Sequence, residues 1–300
     1  MTVQSKLVIK LFLLMGLGAF LRKRNIITEE GKAMLTDLIL KIVLPCSILS
    51  SFLSKTEETG SDTFIQMLLL SLGLQIFSFF VSFLLYRKCD PKHRTVLQYG
   101  TICSNSGILG TPIATELFGA PGGLLASVYL LPLRIAMWTA GLSLFTRERN
   151  KSILAMALHP CVVATLAGMA LFGLNLDLPK LLSETITTVG RCNTFLSLAL
   201  VGSSIADMDP KGILDRDAFY YTGIRLIALP VLVWAVSSVL RLDSFVCRVA
   251  VILTAMPAGA TTTILAFRYH KDASFAAACT ALSTAVSLIA IPIWYVILCG

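Results

Sequence analysis

Long apolar runs separated by short polar segments dominate the pattern of this chain. A helix needs about 20 mostly apolar residues to cross a bilayer, and ten runs approach or exceed that length. The runs are Leu7–Leu21, Leu35–Leu53, Thr63–Tyr86, Val96–Phe118, Gly123–Phe145, Ile153–Leu174, Ile186–Ile205, Ala218–Leu240, Phe245–Phe267 and Ala276–Leu298. Because the first run is short, we expect its helix to begin earlier. The pattern predicts an all-α integral membrane protein with ten transmembrane helices.

The composition excludes a soluble domain. Of the 300 residues, 56% are hydrophobic and only 14% are charged, and the mean hydropathy is +0.80. A soluble domain carries about 25% charged residues, so this chain has too little polar surface to face water.

The basic residues predict membrane orientation. A net charge of +8 suggests nucleic acid as a partner only when the charges form a surface patch. Here fifteen of the 25 Lys and Arg follow odd-numbered runs, and four follow even-numbered runs. By the positive-inside rule, the loops after odd-numbered runs face the cytoplasm, and both termini lie on the outer side of the cell membrane. We therefore expect no nucleic-acid partner.

Cysteine and histidine give no sign of a metal site or a redox site. The eight cysteines include no CxxC spacing, and the three histidines are scattered. Cysteines in apolar runs usually behave as small hydrophobic residues. We expect no disulfide framework, no metal and no cofactor.

The chain divides into two related halves, residues 1–146 and 153–300. An offset of 152 places Asn105 opposite Pro257, and an offset near 150 places Lys41 opposite Arg191. Because each half has five spans, the halves enter the membrane from opposite sides. Inverted repeats of this kind are the architecture of many secondary transporters.

Two spans carry helix-breaking segments at corresponding places in the two halves. Cys103–Pro112 and Thr254–Thr263 concentrate Gly, Pro and small polar residues in the middle of spans four and nine. Freed backbone groups at that depth need protein or a water-filled cavity, and the N-terminus of a half-helix suits an anion. The alternative is that small residues only let two helices cross closely. The predicted substrate-binding residues here are Ser104, Asn105, Ser106, Gly107, Thr111, Pro112, Pro257, Gly259 and Thr261.

Four cations lie inside the predicted spans and are candidates for function. Lys41 follows Asp37 by four residues, so the two can pair on one helix face. Arg191 follows Glu184 by seven residues and lies on roughly the same face. Both cations either are neutralised locally or hold the transport path positive for a carboxylate. Arg134 and Arg225 are lone cations, for which gating or helix packing is the favoured role.

The segment from Asn105 to Ile113, followed by Leu117 to Gly119, resembles the auxin efflux carrier family of membrane transport proteins. Supporting stretches are Leu21 to Ile27, Val43 to Pro45, Leu200 to Ala206 and Ile291 to Pro292. The resemblance covers nearly the whole chain. It implies ten helices in two inverted five-helix repeats, with helices four and nine broken and crossing at a site for organic anions.

Two departures from the family pattern favour a compact microbial permease over a plant carrier. Phe195 stands where span seven often has a proline, and only Thr146–Ser152 links the two halves. The predicted function is a secondary transporter that moves a small organic anion by alternating access within membrane lipid. The alternative is a membrane sensor that binds a ligand without moving it. An enzyme is not expected, because no paired acid, base or nucleophile stands out, and a homodimer is left open.

Overall fold

The computed structural model describes residues 3–53, 60–145, 158–174, 176–207 and 215–299. Within these residues the chain is helical, without β-strands. The helices are α1 (Val3–Lys23), α2 (Glu29–Leu38), α3 (Leu44–Leu53), α4 (Ser61–Leu85), α5 (Pro91–Ile102), α6 (Thr111–Ala136), α7 (Pro160–Gly173), α8 (Lys180–Ala206), α9 (Arg216–Gly223), α10 (Leu229–Val239), α11 (Ser244–Thr254), α12 (Ala260–Arg268) and α13 (Ala273–Cys299).

In the described part of the chain, four π-helical turns extend or join these helices. Ile39–Val43 joins α2 to α3, and Ile224–Ala228 joins α9 to α10. Ser106–Gly110 precedes α6, and Met137–Gly141 follows it. The joined pairs therefore form long, nearly continuous rods.

Among the described residues, five helical segments are long and apolar enough to cross a membrane. They are Glu29–Leu53, Asp62–Leu85, Ser106–Gly141, Arg216–Val239 and Ala273–Cys299. The prediction of an all-helical, multi-pass membrane protein is confirmed at this level. Each of the ten predicted spans also contains helix among the described residues, and α1 begins at Val3, earlier than the first run.

The helix breaks are shorter than the sequence predicts. Residues 103–105 and 255–259 leave the helical path, whereas Gly107 lies in a π turn. Pro112 lies in the first turn of α6, directly after the π turn Ser106–Gly110. Thr261 lies in the first turn of α12.

A sharp bend inside α6 marks the boundary between predicted spans four and five. Gly119 has φ 71°, a left-handed conformation that glycine adopts without a Cβ clash. The bend therefore falls between the predicted runs Val96–Phe118 and Gly123–Phe145.

The sixth predicted span is only partly described. Residues 153–157 and the link Thr146–Ser152 lie outside the described residues. Helix α7 begins at Pro160, because His159 is its N-cap and accepts a hydrogen bond from the Cys161 N–H through its ring nitrogen.

The chain divides into two compact units, and each unit draws on both halves of the sequence. Unit 1 comprises Met1–Phe64, Ile108–Val128 and Ala157–Asp207, and unit 2 comprises Ile65–Gly107, Tyr129–Met156 and Met208–Gly300.

Close helix packing organises unit 1. A Cβ added at Gly18 of α1 would lie 2.2 Å from the Ala199 carbonyl oxygen of α8. At Gly202 of α8, an added Cβ would lie 1.9 Å from the Met15 carbonyl oxygen. Small residues permit this backbone-to-backbone approach in membrane helices, so α1 and α8 are as close as their backbones allow.

Buried tyrosines organise unit 2 around α5 and α11. The Tyr86 and Thr101 hydroxyls lie 2.6 Å apart, and the Tyr221 hydroxyl donates to the Gly100 carbonyl at 3.0 Å. The Tyr129 and Thr254 hydroxyls lie 3.1 Å apart. Because buried polar groups need partners, these contacts fix the last turns of both helices.

Candidate functional site

Two half-helices with matching ends approach the candidate site in unit 2. Asp90 caps the N-terminus of α5, and Asp243 caps that of α11, each through a side-chain oxygen. The helices end at Ile102 and Thr254, which are 152 residues apart in the sequence. The structure therefore terminates both helices at the positions that the offset of 152 pairs.

The two interrupted segments cross and join as a short antiparallel pair. Ser104 and Ala258 form an isolated antiparallel bridge, and the Asn105 N–H donates to the Pro257 carbonyl oxygen at 2.8 Å. The Ala258 N–H donates to the Ser283 hydroxyl of α13 at 3.2 Å. The backbone groups freed by the breaks are thus satisfied within the protein, as membrane depth requires.

Ser106 joins the crossing from the side. Its hydroxyl donates to the Leu253 carbonyl oxygen at 2.8 Å and lies 2.5 Å from the Ser104 hydroxyl. Ser106 is fully buried, and Leu253 is in the last turn of α11. The Ser106 hydroxyl therefore donates a hydrogen bond to a carbonyl oxygen that has no intrahelical partner at the end of α11.

The Asn105 carboxamide is available at this crossing. Its backbone N–H is used, but its side chain makes no hydrogen bond to any residue that the structure describes, and it is only half-buried. Helix α12 begins directly after the crossing, at Ala260, and its N-cap Gly259 makes no side-chain hydrogen bond. The site thus presents an amide and an uncapped helix N-terminus together.

The predicted site residues fall into both units. Unit 2 brings together Ser104, Asn105, Ser106, Gly107, Pro257, Gly259 and Thr261. Thr111 and Pro112 belong to unit 1, where both are buried in the first turn of α6. Lys41 and Arg191 also belong to unit 1.

Lys41 and Asp37 form the predicted ion pair. The Lys41 Nζ lies 2.5 Å from an Asp37 carboxylate oxygen, and both side chains are 64% exposed. Arg191 is exposed and has no ion pair among the described residues, while Glu184 lies 4.0 Å from Lys180. The predicted pairing of Asp37 with Lys41 is confirmed, and that of Glu184 with Arg191 is not observed. A role for either cation in the site stays a prediction.

Glu116 is paired within unit 1. One of its carboxylate oxygens lies 2.6 Å from the Lys10 Nζ, and its side chain is 18% exposed. The charge of this carboxylate is therefore balanced by a cation of α1.

Arg225 contacts both half-helices, which the sequence did not reveal. It is 2% exposed, and its guanidinium donates to the Met256 and Thr101 carbonyl oxygens. The available signal was a cation in the middle of an apolar run. Nothing in the sequence indicated which groups it would meet, and Ser283 gave no signal at all.

A polar cluster joins three helix N-termini at one end of unit 2. The His93 Nδ1 lies 3.0 Å from an Asp217 carboxylate oxygen, and its ring stacks on Phe275 at 3.6 Å. His93, Asp215 and Asp217 place ligand atoms within 4.8 Å of one another, as a metal site would require. Asp215 is also the N-cap of α9. These residues are far apart in sequence, so spacing alone did not predict their meeting.

Burial and a nearby carboxylate perturb Cys89, which lies beside this cluster in the link between α4 and α5. Loss of water around the thiol, reinforced by Asp217, raises the pKa of Cys89 to about 11. The thiol therefore stays protonated near neutral pH.

These features define a multi-pass membrane protein in which two interrupted helices cross within one unit. The family described as "Membrane transport protein" matches residues 3–295, and the chain belongs to that family. The resemblance to auxin efflux carriers is thereby confirmed. The protein is a membrane transporter of a small-molecule substrate and not an enzyme.

Relatives that match over nearly their whole length are also named as transporters. An uncharacterized transporter of Methanothermobacter thermautotrophicus is 23% identical, with 98% of each chain covered. One of Methanocaldococcus jannaschii is 25% identical, with 97% of this chain and 98% of the relative covered. The uncharacterized transporter YfdV of Escherichia coli is 22% identical, with 95% of this chain and 94% of the relative covered.

Proposed function

We propose that this protein is a secondary transporter that carries a small organic anion by alternating access. The observation that carries the proposal is the crossing of α5 and α11 at Ser104 and Ala258. Secondary transporters commonly bind substrate at the ends of such discontinuous helices. The half-buried Asn105 carboxamide provides a polar group for the substrate there.

An anion suits the charges around the crossing. The N-terminus of α12 has no side-chain cap, and the positive end of its helix dipole favours a carboxylate. The buried guanidinium of Arg225 adds a positive charge to the same unit. We assign substrate contact first to Asn105, with Ser104, Gly259 and Thr261 around it. Thr111, Pro112, Lys41 and Arg191 remain predicted members of the site.

The proposed architecture is ten membrane helices in two inverted repeats, residues 1–146 and 153–300. Three structural parallels support it. Asn105 and Pro257, 152 residues apart, hydrogen-bond to each other. Gly18 and Gly168, 150 residues apart, both lie at close helix contacts of unit 1. At this offset, Met1–Phe64 and Ala157–Asp207 of unit 1 correspond to each other, and Ile65–Gly107 corresponds to part of Met208–Gly300 in unit 2.

The cell membrane, with both termini outside, is the proposed location. The excess of basic residues after the odd-numbered spans supports this orientation. A homodimer stays open.

Counterflow in proteoliposomes tests the function. Vesicles with purified protein are preloaded with an unlabelled carboxylic acid, and labelled acid is added outside, using malonate, malate and monocarboxylates in turn. A carrier accumulates label transiently, because bound substrate exchanges across the membrane. A sensor binds label but gives no accumulation, and that outcome would overturn the proposal.

Asn105→Ala is the matching variant, with Ser238→Ala as its control. Ser238 is exposed on α10, and its hydroxyl bonds only to the Trp234 carbonyl oxygen. We expect Asn105→Ala to raise the half-saturating substrate concentration about tenfold, as loss of one hydrogen bond to a charged group does. Ser238→Ala should transport like the wild type.

A further inference from the structure

Arg225 is buried within unit 2, in the π-helical turn Ile224–Ala228. Its Nε donates to the Met256 carbonyl oxygen at 2.9 Å, and its Nη1 donates to the Thr101 carbonyl oxygen at 3.0 Å. Thr101 is in the last turn of α5, and Met256 is in the break that follows α11. One guanidinium therefore bonds to both interrupted chains.

These two carbonyls lack their usual helical partners. In a continuous helix, Thr101 would accept from the Asn105 N–H, which here donates to Pro257. Met256 would accept from the N–H of residue 260, but there the next helix only begins. Both carbonyls are buried, and the partial negative charge of each helix end lies beside them. A cation with several N–H donors can hydrogen-bond to both carbonyl oxygens and balance the partial negative charge of the helix ends.

Neighbouring contacts hold the arginine in register with α5. Tyr221 is one helical turn before Arg225, and its hydroxyl donates to the Gly100 carbonyl oxygen at 3.0 Å. The Trp294 Nε1 donates to the Leu226 carbonyl oxygen at 2.9 Å, which anchors the adjacent backbone. The position 152 residues before Arg225 is Gly73, which has no side chain. At this offset, the first half has no cation opposite Arg225.

We propose that Arg225 is the resident cation of the crossing, a positioning residue that occupies the helix-end carbonyls that other discontinuous-helix transporters offer to a sodium ion. Free carbonyls and C-terminal ends of half-helices coordinate Na⁺ in such proteins. Here the guanidinium carries the same charge and bonds to one carbonyl from each chain. The crossing therefore keeps its geometry without a metal ion, and the transport step does not require sodium at this place. This consequence for transport rests on the proposed function, whereas the geometry of the crossing does not.

Hydrogen exchange measured by mass spectrometry tests the positioning role without transport. The amides to follow are Asn105 and Ala258, which hydrogen-bond across and beside the crossing. We expect Arg225→Ala to raise their exchange rates at least tenfold, with little change in α4 and α13. Arg248→Ala is the matched control, because Arg248 bonds to Ser244 at the other end of α11. Unchanged exchange in a folded Arg225→Ala protein would overturn the proposal.

Chemical rescue separates a cation site from simple packing. Methylguanidinium added to Arg225→Ala should restore slow exchange at both amides, while the same concentration of sodium should restore less. A side chain that only fills space would not be replaced by a small cation, so absence of rescue would count against the proposal.

Arg225→Lys covers the case in which the alanine variant does not fold. It keeps the charge and three donors, so its two amides should exchange more slowly than in Arg225→Met, which has similar bulk and no charge. Equal exchange in the lysine and methionine variants would refute a cationic role. If Arg225→Lys and Arg225→Met both fail to fold while Arg248→Ala folds, the proposal is also overturned, because the lysine variant retains the positive charge.

Ion replacement completes the test. Wild-type counterflow should be equal in sodium, potassium and choline media, and a strict sodium requirement would overturn the assignment. If the wild type shows no counterflow with any acid, the proposed function fails, and the exchange experiments still decide the role of Arg225.

Discussion

The contact between α1 and α8 allows a graded test of the structure with three glycines of unit 1. Gly16 and Gly18 both belong to α1, but only Gly18 faces α8. An alanine Cβ at Gly18 would lie 2.2 Å from the Ala199 carbonyl oxygen, whereas ordinary contact begins near 3.4 Å. The helices must therefore separate locally by about 1 Å, because neither backbone can move aside as a side chain would.

The magnitude follows from the cost of overpacking. Inserting a methyl group into a well-packed interface costs about 1–3 kcal/mol, and Gly18→Ala belongs at the upper end because it meets backbone. Gly168→Ala should cost about 1 kcal/mol, since its Cβ meets the Phe52 ring at 2.4 Å and a ring can shift. Gly16→Ala has nothing within 4 Å and should be neutral or slightly stabilising.

Thermal unfolding of purified protein in detergent, followed by tryptophan fluorescence, measures the series. For chains of 150–250 residues, 1 kcal/mol shifts the Tm by about 2–4 °C, so a cost of about 2–3 kcal/mol should make Gly18→Ala melt roughly 4–12 °C lower than Gly16→Ala. Gly18→Ala combined with Gly202→Ala should cost less than the sum, because one separation of the helices relieves both clashes. A Gly18→Ala protein with the same Tm as Gly16→Ala would refute this packing of α1 on α8.

Three further outcomes follow from particular contacts. Lys41→Ala should impair anion uptake and leave membrane insertion intact, and unchanged uptake kinetics would remove Lys41 from the site. Alkylation of Cys89 by a maleimide should be slow at pH 7 and accelerate until the pH nears 11, because burial raises the pKa of this thiol to about 11. Asp217→Asn removes the neighbouring charge and should move the acceleration of alkylation to lower pH. An alkylation rate of Cys89 that is already constant above pH 8 would contradict the raised pKa. Ser106→Ala leaves the buried Leu253 carbonyl oxygen without this donor, at a cost of about 1–3 kcal/mol, and should lower the Tm, whereas Ser143→Ala, an exposed hydroxyl bonded only to the nearby Ala140 carbonyl, should not.

The crossing illustrates how far local sequence reasoning extends. The clustering of Asn105, Gly107 and Pro257 predicted where two helices break, because glycine and proline weaken helices wherever they occur. It overestimated the length of both breaks, since Pro112 and Thr261 fit into the first turn of a new helix. That error arises because a helix start tolerates proline and small polar residues as readily as a break does.

Local sequence predicts the partners of some charged residues and not those of others. Asp37 and Lys41 were predicted to pair because four residues is one helical turn, and that distance is fixed by local geometry. The Lys10–Glu116 pair and the contacts of Arg225 join residues more than 30 positions apart. No local rule brings such residues together, so only the folded chain reveals them.

The amino-acid sequence alone is enough to identify a helical membrane protein, to place its helices approximately and to recognise its family. Those properties depend on hydrophobic length and on residue patterns read along one helix. The tertiary structure decided that α5 and α11 meet at Ser104 and Ala258 and that one buried guanidinium binds both helix ends. Burial explains the difference: inside the membrane every freed carbonyl must find a donor, and which donor is near depends on packing between distant segments.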